Sequence, residues 1–222
     1  MMGNERLACC ALLCVWTLGC YAGFDELEAS CKAPLSAGDV RISEILANPR
    51  GPDGQQEYIE LFNATAAELD LSGAVLVTSR QDGSGERGHM IGELSLSAGA
   101  YVVLGNAEQE AGGQLDYSYG SALGNLRNSD ARVALLCGPT IVDETEYASA
   151  AEGYALELDG STEPVAERDE NPARWCESID SHGEAAGNFG TPGEPNRSCP
   201  VVLQEGTCID EGKVRSIMVP TR

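Results

Sequence analysis

Basic residues and histidines are scarce in this 222-residue chain, and their scarcity argues against several functions. Fourteen Lys and Arg face 35 Asp and Glu, which gives a net charge of −21. A surface of that sign repels phosphate groups, because phosphate binding depends on cations that displace counterions. The two histidines, His89 and His182, lie in neither a G-x-S-x-G nor an H-E-x-x-H context. We therefore expect no nucleic-acid partner and no catalytic residue.

The apolar run near the start of the chain, Leu7 to Leu18, is too short for a membrane-spanning helix, which needs ~20 residues. Its length suits the central region of an export signal, so residues 1–19 are predicted to form a signal peptide. The following pair, Gly19-Cys20, resembles a bacterial lipobox, in which the cysteine is acylated and becomes the new N-terminus. Lipidation of Cys20 would anchor the chain to a membrane of the bacterial cell envelope.

Two features of this leader leave alternatives open. A lipobox usually has Leu three residues before the cysteine, where this chain has Thr17, and Glu5 offsets the charge of Arg6. A plain cleaved secretory signal would release the protein, whereas an uncleaved anchor or a misassigned start would retain the segment. Both the lipid-anchored and the secreted forms predict a location outside the cytoplasm.

Cysteine is frequent, with nine in the chain, and this favours disulfides in an exported protein. Five cysteines follow the lipobox: Cys31, Cys137, Cys176, Cys199 and Cys208. No C-x-x-C pair occurs among these five, so a zinc site is not expected. Two bridges among five thiols leave one thiol unpaired, and the count alone does not fix the connectivity.

A bridge between Cys137 and Cys176 is the pairing that the sequence favours. Cys137 ends a predicted core strand, and Cys176 lies in an irregular segment that the bridge would pin to the domain. Closing a loop of about 40 residues would stabilise the domain by roughly 3 to 4 kcal/mol. Pairing of Cys199 with Cys208, or of Cys31 with Cys199, gives the further alternatives.

The rest of the chain divides into an acidic spacer over residues 20–37, one domain over 38–197 and a tail or linker over 198–222. Short β-branched and aromatic runs separated by turn residues fill the domain, and this pattern predicts strands. The predicted strands are Val40 to Leu46, Glu57 to Asn63, Gly73 to Ser79, His89 to Leu94, Ala100 to Gly105, Ala131 to Cys137, Thr140 to Tyr147 and Gly153 to Leu158. Their number predicts an all-β sandwich.

The tail contains one strand-like stretch, Val214 to Pro220. It would either extend a sheet edge or begin a connector to a further domain. We expect residues 208–222 to be less well ordered than the sandwich.

Six sequence blocks carry the family signal of the domain. They are GDVRISEILANP (residues 38–49), QEYIELFN (56–63), LDLSGAVLVT (69–78), LSAGAYVVLGN (96–106), LRNSDARVALL (126–136) and GTPGEPN (190–196). In order and spacing they resemble the lamin tail domain family. The resemblance implies an immunoglobulin-like β-sandwich, and bacterial members are secreted or surface-anchored modules, sometimes fused to nucleases or phosphoesterases. The nuclear role of animal members does not carry over, because this chain has an export leader and no coiled-coil rod.

Two glutamates are predicted to lie in enclosed positions. Strict alternation along a strand places Glu44 on the same face as Ile42, and Glu60 between Tyr58 and Phe62. An enclosed carboxylate needs hydrogen-bond donors or a cation, because desolvation otherwise costs several kcal/mol.

Two roles for these carboxylates are open. With Asp53 or Asn63 they would form an acid pair or a calcium ligand set. Alternatively, backbone N–H groups, Arg41 or tyrosine hydroxyls satisfy them. We favour the second role, so Glu44, Asp53 and Glu60 are weak metal candidates, and Ca²⁺ is the one cofactor considered.

The sequence predicts a cell-envelope lipoprotein whose sandwich acts as a non-catalytic binding, adhesion or structural module. Its partner would be a protein or another cell-surface component, contacted through a sheet edge or loop end. The alternatives are a calcium-dependent binding module and an accessory domain of a secreted hydrolase system.

Overall fold

Fourteen β-strands make up the regular structure that a computed structural model describes. It describes residues 31–51, 56–106, 115–161, 174–181 and 187–200, together with the backbone of 203–210 and 213–220. The predicted signal peptide, Cys20, Asp53 and His182 lie outside these residues. Within the described part of the chain, no helix combines the length and the apolar character needed to cross a bilayer.

The strands are numbered in the order in which the chain forms them. They are β1 (Val40–Leu46), β2 (Tyr58–Asn63), β3 (Leu69–Asp70), β4 (Val75–Ser79), β5 (Arg87–Met90), β6 (Ser95–Leu96), β7 (Tyr101–Gly105), β8 (Tyr117–Ser118), β9 (Ser129–Cys137), β10 (Thr140–Ser149), β11 (Leu156–Leu158), β12 (Trp175–Glu177), β13 (Leu203–Asp210) and β14 (Lys213–Pro220). Each of the eight predicted strands overlaps one of these.

Two larger sheets form a β-sandwich, as predicted. The six-stranded sheet has the order β12-β11-β1-β2-β7-β8, and the four-stranded sheet has the order β10-β9-β4-β5. Neighbouring strands are antiparallel except for the parallel pair β7 and β8. The hairpin β9-β10 turns at Gly138, whose φ of 58° suits a residue without a Cβ.

Apolar side chains from both sheets fill the space between them. Ile45 and Leu61 come from the six-stranded sheet and Leu76 and Leu135 from the four-stranded sheet, and all four are fully buried. Removing a side chain of this kind from water contributes about 1.5 to 3 kcal/mol. The alternation of such residues along the strands therefore fixes which face of each sheet points inward.

A β-bulge in β1 changes the face of the second half of that strand. The pairing of β1 with β2 shifts between Ile42 and Glu44. Ile42 and Ile45 both join the core between the sheets, whereas Leu46 belongs to a separate cluster with Tyr58. The prediction that Glu44 shares a face with Ile42 was wrong, because the extra residue of a bulge reverses the alternation.

Two disulfides tie peripheral segments to the sandwich, Cys31 with Cys137 and Cys176 with Cys199. The predicted bridge between Cys137 and Cys176 was wrong, because Cys137 is bonded to Cys31 and Cys176 to Cys199. The pairings of Cys199 with Cys208 and of Cys31 with Cys199 were also wrong, since both Cys199 and Cys31 have other partners.

The last residues of the predicted spacer are attached to the sandwich. Cys31 is bridged to β9, and the backbone N–H of Lys32 donates to the carbonyl of Ser72 at 2.9 Å. The N–H of Gly38 donates to the carbonyl of Val142 in β10 at 2.8 Å. Residues 31–38 therefore follow the four-stranded sheet before the chain enters β1.

The strand-like stretch of the tail is paired. Strand β14 covers it and runs antiparallel to β13, from Leu203 opposite Pro220 to Asp210 opposite Lys213. These two strands form a two-stranded sheet of their own.

Candidate functional site

Three glutamates lie side by side on the outer face of the six-stranded sheet. Glu44 of β1 pairs with Glu157 of β11 on one side and with Glu60 of β2 on the other. Their neighbours in sequence Ile45, Ile59 and Leu61 point into the core, so the glutamates point away from it. We call Glu157, Glu44 and Glu60 the glutamate row. All three are buried, with 0 to 2% of their surface exposed.

A loop of residues 190–196, the block GTPGEPN, covers the glutamate row and supplies its hydrogen-bond donors. The Glu44 carboxylate receives the backbone N–H of Thr191 at 3.0 and 3.1 Å and the Thr191 hydroxyl at 3.0 Å. From the sheet itself, the Tyr58 hydroxyl donates to Glu44 Oε1. Glu44 is therefore satisfied by a backbone N–H, a threonine and a tyrosine, all from this chain.

Glu60 is held in a similar way, by one donor from the sheet and one from the loop. The Ser43 hydroxyl donates to Oε1 at 2.6 Å, and the backbone N–H of Gly193 donates to Oε2 at 2.6 Å. Ser43 is the residue at the β1 bulge. The irregularity in β1 thus brings a donor to Glu60 while it turns Glu44 outward.

Thr191 stands at the centre of the arrangement. Its hydroxyl oxygen is 3.0 Å from Glu44 Oε2, 3.3 Å from Glu157 Oε1 and 3.0 Å from Asn196 Oδ1. A hydroxyl has one proton to donate, so it serves one of these three acceptors at a time. A proton on a neighbouring carboxyl group would allow that carboxyl to donate to the threonine oxygen instead.

The covering loop approaches the sheet so closely that a side chain at Gly190 does not fit. A Cβ built at Gly190 would overlap the Tyr58 hydroxyl and Glu44 Oε1. The loop is fixed at its other end by Asn196, whose amide donates to the carbonyls of Ser43 at 2.8 Å and Leu158 at 2.9 Å. The block GTPGEPN is therefore a structural part of the site.

Burial favours the protonated forms of the glutamate row. It raises the pKa of Glu44 to about 7, and the charge of Glu157 adds to this effect against the bonds from Tyr58 and Thr191. Burial, followed by the charge of Glu44, raises the pKa of Glu60 well above its usual value. The pKa of Glu157 is raised mainly by burial, and that of Tyr58 by burial and by the charge of Glu44.

The metal candidates do not form a ligand set in the described structure. Asp53 lies outside it, and Asn63 is used elsewhere: its amide donates to the carbonyls of Ala67, Leu96 and Ser97 at 2.8 to 3.1 Å. Among the residues that the structure describes, no group of three His, Cys, Asp or Glu is arranged to hold a metal ion. The oxygens of Glu44 and Glu60 accept hydrogen bonds from the covering loop and from Ser43 and Tyr58 of the sheet, and a cation would have to displace these donors.

His89 makes a local contact away from the glutamate row. Its Nε2 atom is 2.8 Å from the Tyr117 hydroxyl, and the two rings lie 5.6 Å apart. Burial lowers the pKa of His89 and so favours its neutral form. The pair links β5 to β8 at the rim of the sandwich.

A pocket of about 140 Å³ lies beside the covering loop, and its lining includes Ser43, which donates to Glu60 of the glutamate row. It brings together Arg41 of β1 and Arg174, which precedes β12, so residues far apart in sequence share one concave surface. No sequence pattern connected these two arginines. The pocket is lined by Arg41, Ser43, Phe62, Tyr101, Leu158, Asp159, Gly160, Arg174, Pro195 and Asn196.

Comparison with known proteins gives one family. The family model described as Lamin Tail Domain matches residues 33–149. The match includes Glu44 and Glu60, whereas Glu157 and the covering loop lie beyond it. No curated protein matches the chain.

Proposed function

Because the chain belongs to the lamin tail domain family, we propose that it is a non-catalytic binding module of the bacterial cell envelope. The observation that supports this proposal is that the enclosed carboxylates act as hydrogen-bond acceptors within the fold. Each oxygen of Glu44 and Glu60 accepts a hydrogen bond from this chain. These hydrogen bonds fix the covering loop to the sheet and so stabilise a rigid surface.

A catalytic use of the glutamate row would require a substrate to reach it. A general acid or base acts within about 3 Å of the group that it protonates or deprotonates, directly or through one water. The covering loop occupies that space, with Thr191 and Gly193 as the contacting residues. We expect purified protein to leave DNA, phosphodiesters and peptides intact, and cleavage of any of these that is lost in Glu44→Gln would contradict a non-catalytic role.

The envelope location is proposed from the leader and from the cysteines. The apolar run ends at Gly19-Cys20, and four of the five later cysteines lie in two disulfides. Disulfides persist in oxidising compartments outside the cytoplasm. Lipid on Cys20 would hold the module at the membrane, and loss of the signal peptide without lipid would release it.

Mass spectrometry of the mature protein tests this location. We expect a chain that begins at Cys20 and carries a diacylglyceryl group, in the membrane fraction of a bacterial host. The matched variant Cys20→Ser should lose the lipid and leave the membrane fraction. A chain recovered with residues 1–19 intact from the soluble cytosol would refute the proposal.

No cofactor is proposed for the module, and a calcium-dependent module is the competing function. A ligand that binds the folded state raises the melting temperature. Titration with Ca²⁺ up to millimolar concentration should therefore release no heat and leave the melting temperature unchanged if calcium does not bind. A rise in melting temperature that disappears in Glu60→Gln would favour the calcium-dependent function.

A further inference from the structure

We propose that the pocket beside the covering loop binds the carboxylate group of a small acidic ligand, of the size of one sugar acid. The proposal rests on the function proposed above and names the ligand class for a binding module of the envelope. It depends on two arginines, on an aromatic wall and on a rigid side opposite that wall.

Two arginines and one carboxylate, Asp159, line the same pocket of this acidic protein. Arg41 is 3% exposed and Arg174 is partly buried, and both line the same cavity. Burial and the nearby charge of Arg41 lower the pKa of Arg174, and the charge of Asp159 acts in the opposite direction. A bound anion would add to the effect of Asp159 and favour both guanidinium cations. The planar guanidinium group presents paired N–H donors that match the two oxygens of a carboxylate.

Both arginines have partners in the protein, and the proposal is compatible with them. Arg41 Nε lies 3.5 Å from Asp143 Oδ2, which also accepts the backbone N–H of Ile42 at 2.7 Å. Asp159 lines the pocket, and its Oδ1 atom accepts the backbone N–H of Cys199 at 3.0 Å. A guanidinium group has five N–H donors, so it can bond a protein carboxylate and a ligand carboxylate together.

Aromatic rings form one wall of the pocket. Phe62 of β2 and Tyr101 of β7 lie opposite each other in the sheet, with ring centroids 4.7 Å apart and an interplanar angle of 36°. Both rings keep part of their surface exposed. Such a wall offers apolar area to the C–H face of a sugar ring while the arginines bond its carboxylate.

The opposite side of the pocket is held rigid. Asn196 bonds the carbonyls of Ser43 and Leu158, and the bridge between Cys176 and Cys199 fixes the segments that follow Arg174 and Asn196. The volume of about 140 Å³ is roughly ten times what one water needs, so the pocket has room for a single ring. A preformed site of this kind loses little entropy on binding.

Isothermal titration calorimetry of the mature chain with D-galacturonate tests the proposal. D-galactose, titrated at the same ionic strength, is the neutral control. We expect heat with galacturonate and none with galactose. Acetate should compete with galacturonate, because it carries the same carboxylate group. Titration with polygalacturonate distinguishes binding of a polymer end from binding of a free sugar acid. Absence of binding by both galacturonate and acetate, or equal binding of galacturonate and galactose, overturns the proposal.

The variant Arg174→Gln should weaken galacturonate binding by about tenfold or more, since it removes a charged hydrogen-bond donor. Arg80→Gln is the charge-matched control, because Arg80 pairs with Asp130 on the exposed surface. If Arg174→Gln melts at a lower temperature than the wild type, Tyr101→Ala tests the aromatic wall instead. Tyr101→Phe, which keeps the ring, is its control.

Equal affinity in Arg174→Gln and Arg80→Gln, with both variants folded, overturns the role of the pocket. If envelope components bind Arg174→Gln as well as the wild type, the pocket proposal fails while the proposed binding function stands. If no envelope component binds the wild type and galacturonate does not bind either, both proposals fail.

Discussion

The glutamate row predicts that the protein loses stability as the pH rises from acid to neutral. Burial raises the pKa of Glu44 to about 7 in the folded chain, against 4.5 as the usual value. The folded state therefore holds this proton more tightly than the unfolded state does. Its contribution is fully present below pH 4.5, and it is lost progressively as the pH rises to about 7.

The size of this effect follows from the same pKa difference. A difference of this size corresponds to about 3 kcal/mol in total, of which roughly 2.5 kcal/mol is lost between about pH 5 and pH 8. The pKa values of Glu60 and Glu157 are raised as well, so the free energy of unfolding of the wild type falls by more than Glu44 alone accounts for. The contribution of Glu44 is isolated by comparing the wild type with Glu44→Gln, which has nearly the same shape and does not titrate.

Urea unfolding of the disulfide-intact chain at the two pH values measures the effect. We expect the free energy of unfolding of Glu44→Gln to depend on pH less steeply than that of the wild type, by about 2.5 kcal/mol over this interval. Glu146→Gln, which changes an exposed side chain of β10, should keep the wild-type dependence. If Glu44→Gln and the wild type lose the same free energy, the buried proton assigned to Glu44 is refuted.

Three further changes test the covering loop, the bridge between Cys176 and Cys199, and the hydrogen bonds of Asn63. Gly190→Ala should lower the free energy of unfolding by about 1 to 3 kcal/mol, because its Cβ overlaps the glutamate row, whereas Gly92→Ala should be nearly neutral in the same urea titration. Replacing Cys176 and Cys199 together by Ala should remove about 3 kcal/mol on the loop-entropy model, measured as a lower melting temperature, and an unchanged melting temperature would count against the bridge. Asn63→Ala removes the hydrogen bonds from its amide to three backbone carbonyls and should lower the free energy of unfolding by about 2 kcal/mol in urea titration; a loss below about 0.5 kcal/mol would contradict this.

The strands could be predicted from the sequence wherever one face is buried. The predicted bounds of β1 agree with the structure, and β2, β4, β7, β9 and β10 differ by one or two residues at an end. The alternation of apolar residues carries this information. Strand β5 begins two residues and ends four residues earlier than predicted, because it is an edge strand with exposed ends and has no clear alternation. Strand β11 begins three residues later than predicted. The two-residue strands β3, β6 and β8 are too short to show a pattern.

The burial of Glu44 and Glu60 could also be predicted, and so could their satisfaction by backbone N–H groups and a tyrosine hydroxyl, but the loop that supplies most of the donors could not. Alternation cannot reveal a bulge, so the sequence placed Glu44 on the face of Ile42. Besides Tyr58 and Ser43 in the sheet, the donors are Thr191 and Gly193, more than 130 residues away, and the sequence marked their block GTPGEPN only as part of the family pattern. The disulfide partners depend on where the segments around Cys31 and Cys199, which lie outside the strands, pack against β9 and β12, and the cysteine spacing contains no such information.

The bridge between Cys31 and Cys137 determines how the module would bear a mechanical load. With lipid on Cys20, the eleven residues that follow up to Cys31 reach at most about 40 Å when extended, so the sandwich would stay within that distance of the membrane. Tension on this tether would enter the fold at the end of β9 through a covalent bond. The hydrogen bonds of β1 would then be shielded from the pull, and the glutamate row beneath its covering loop would stay intact while the cell surface is under shear.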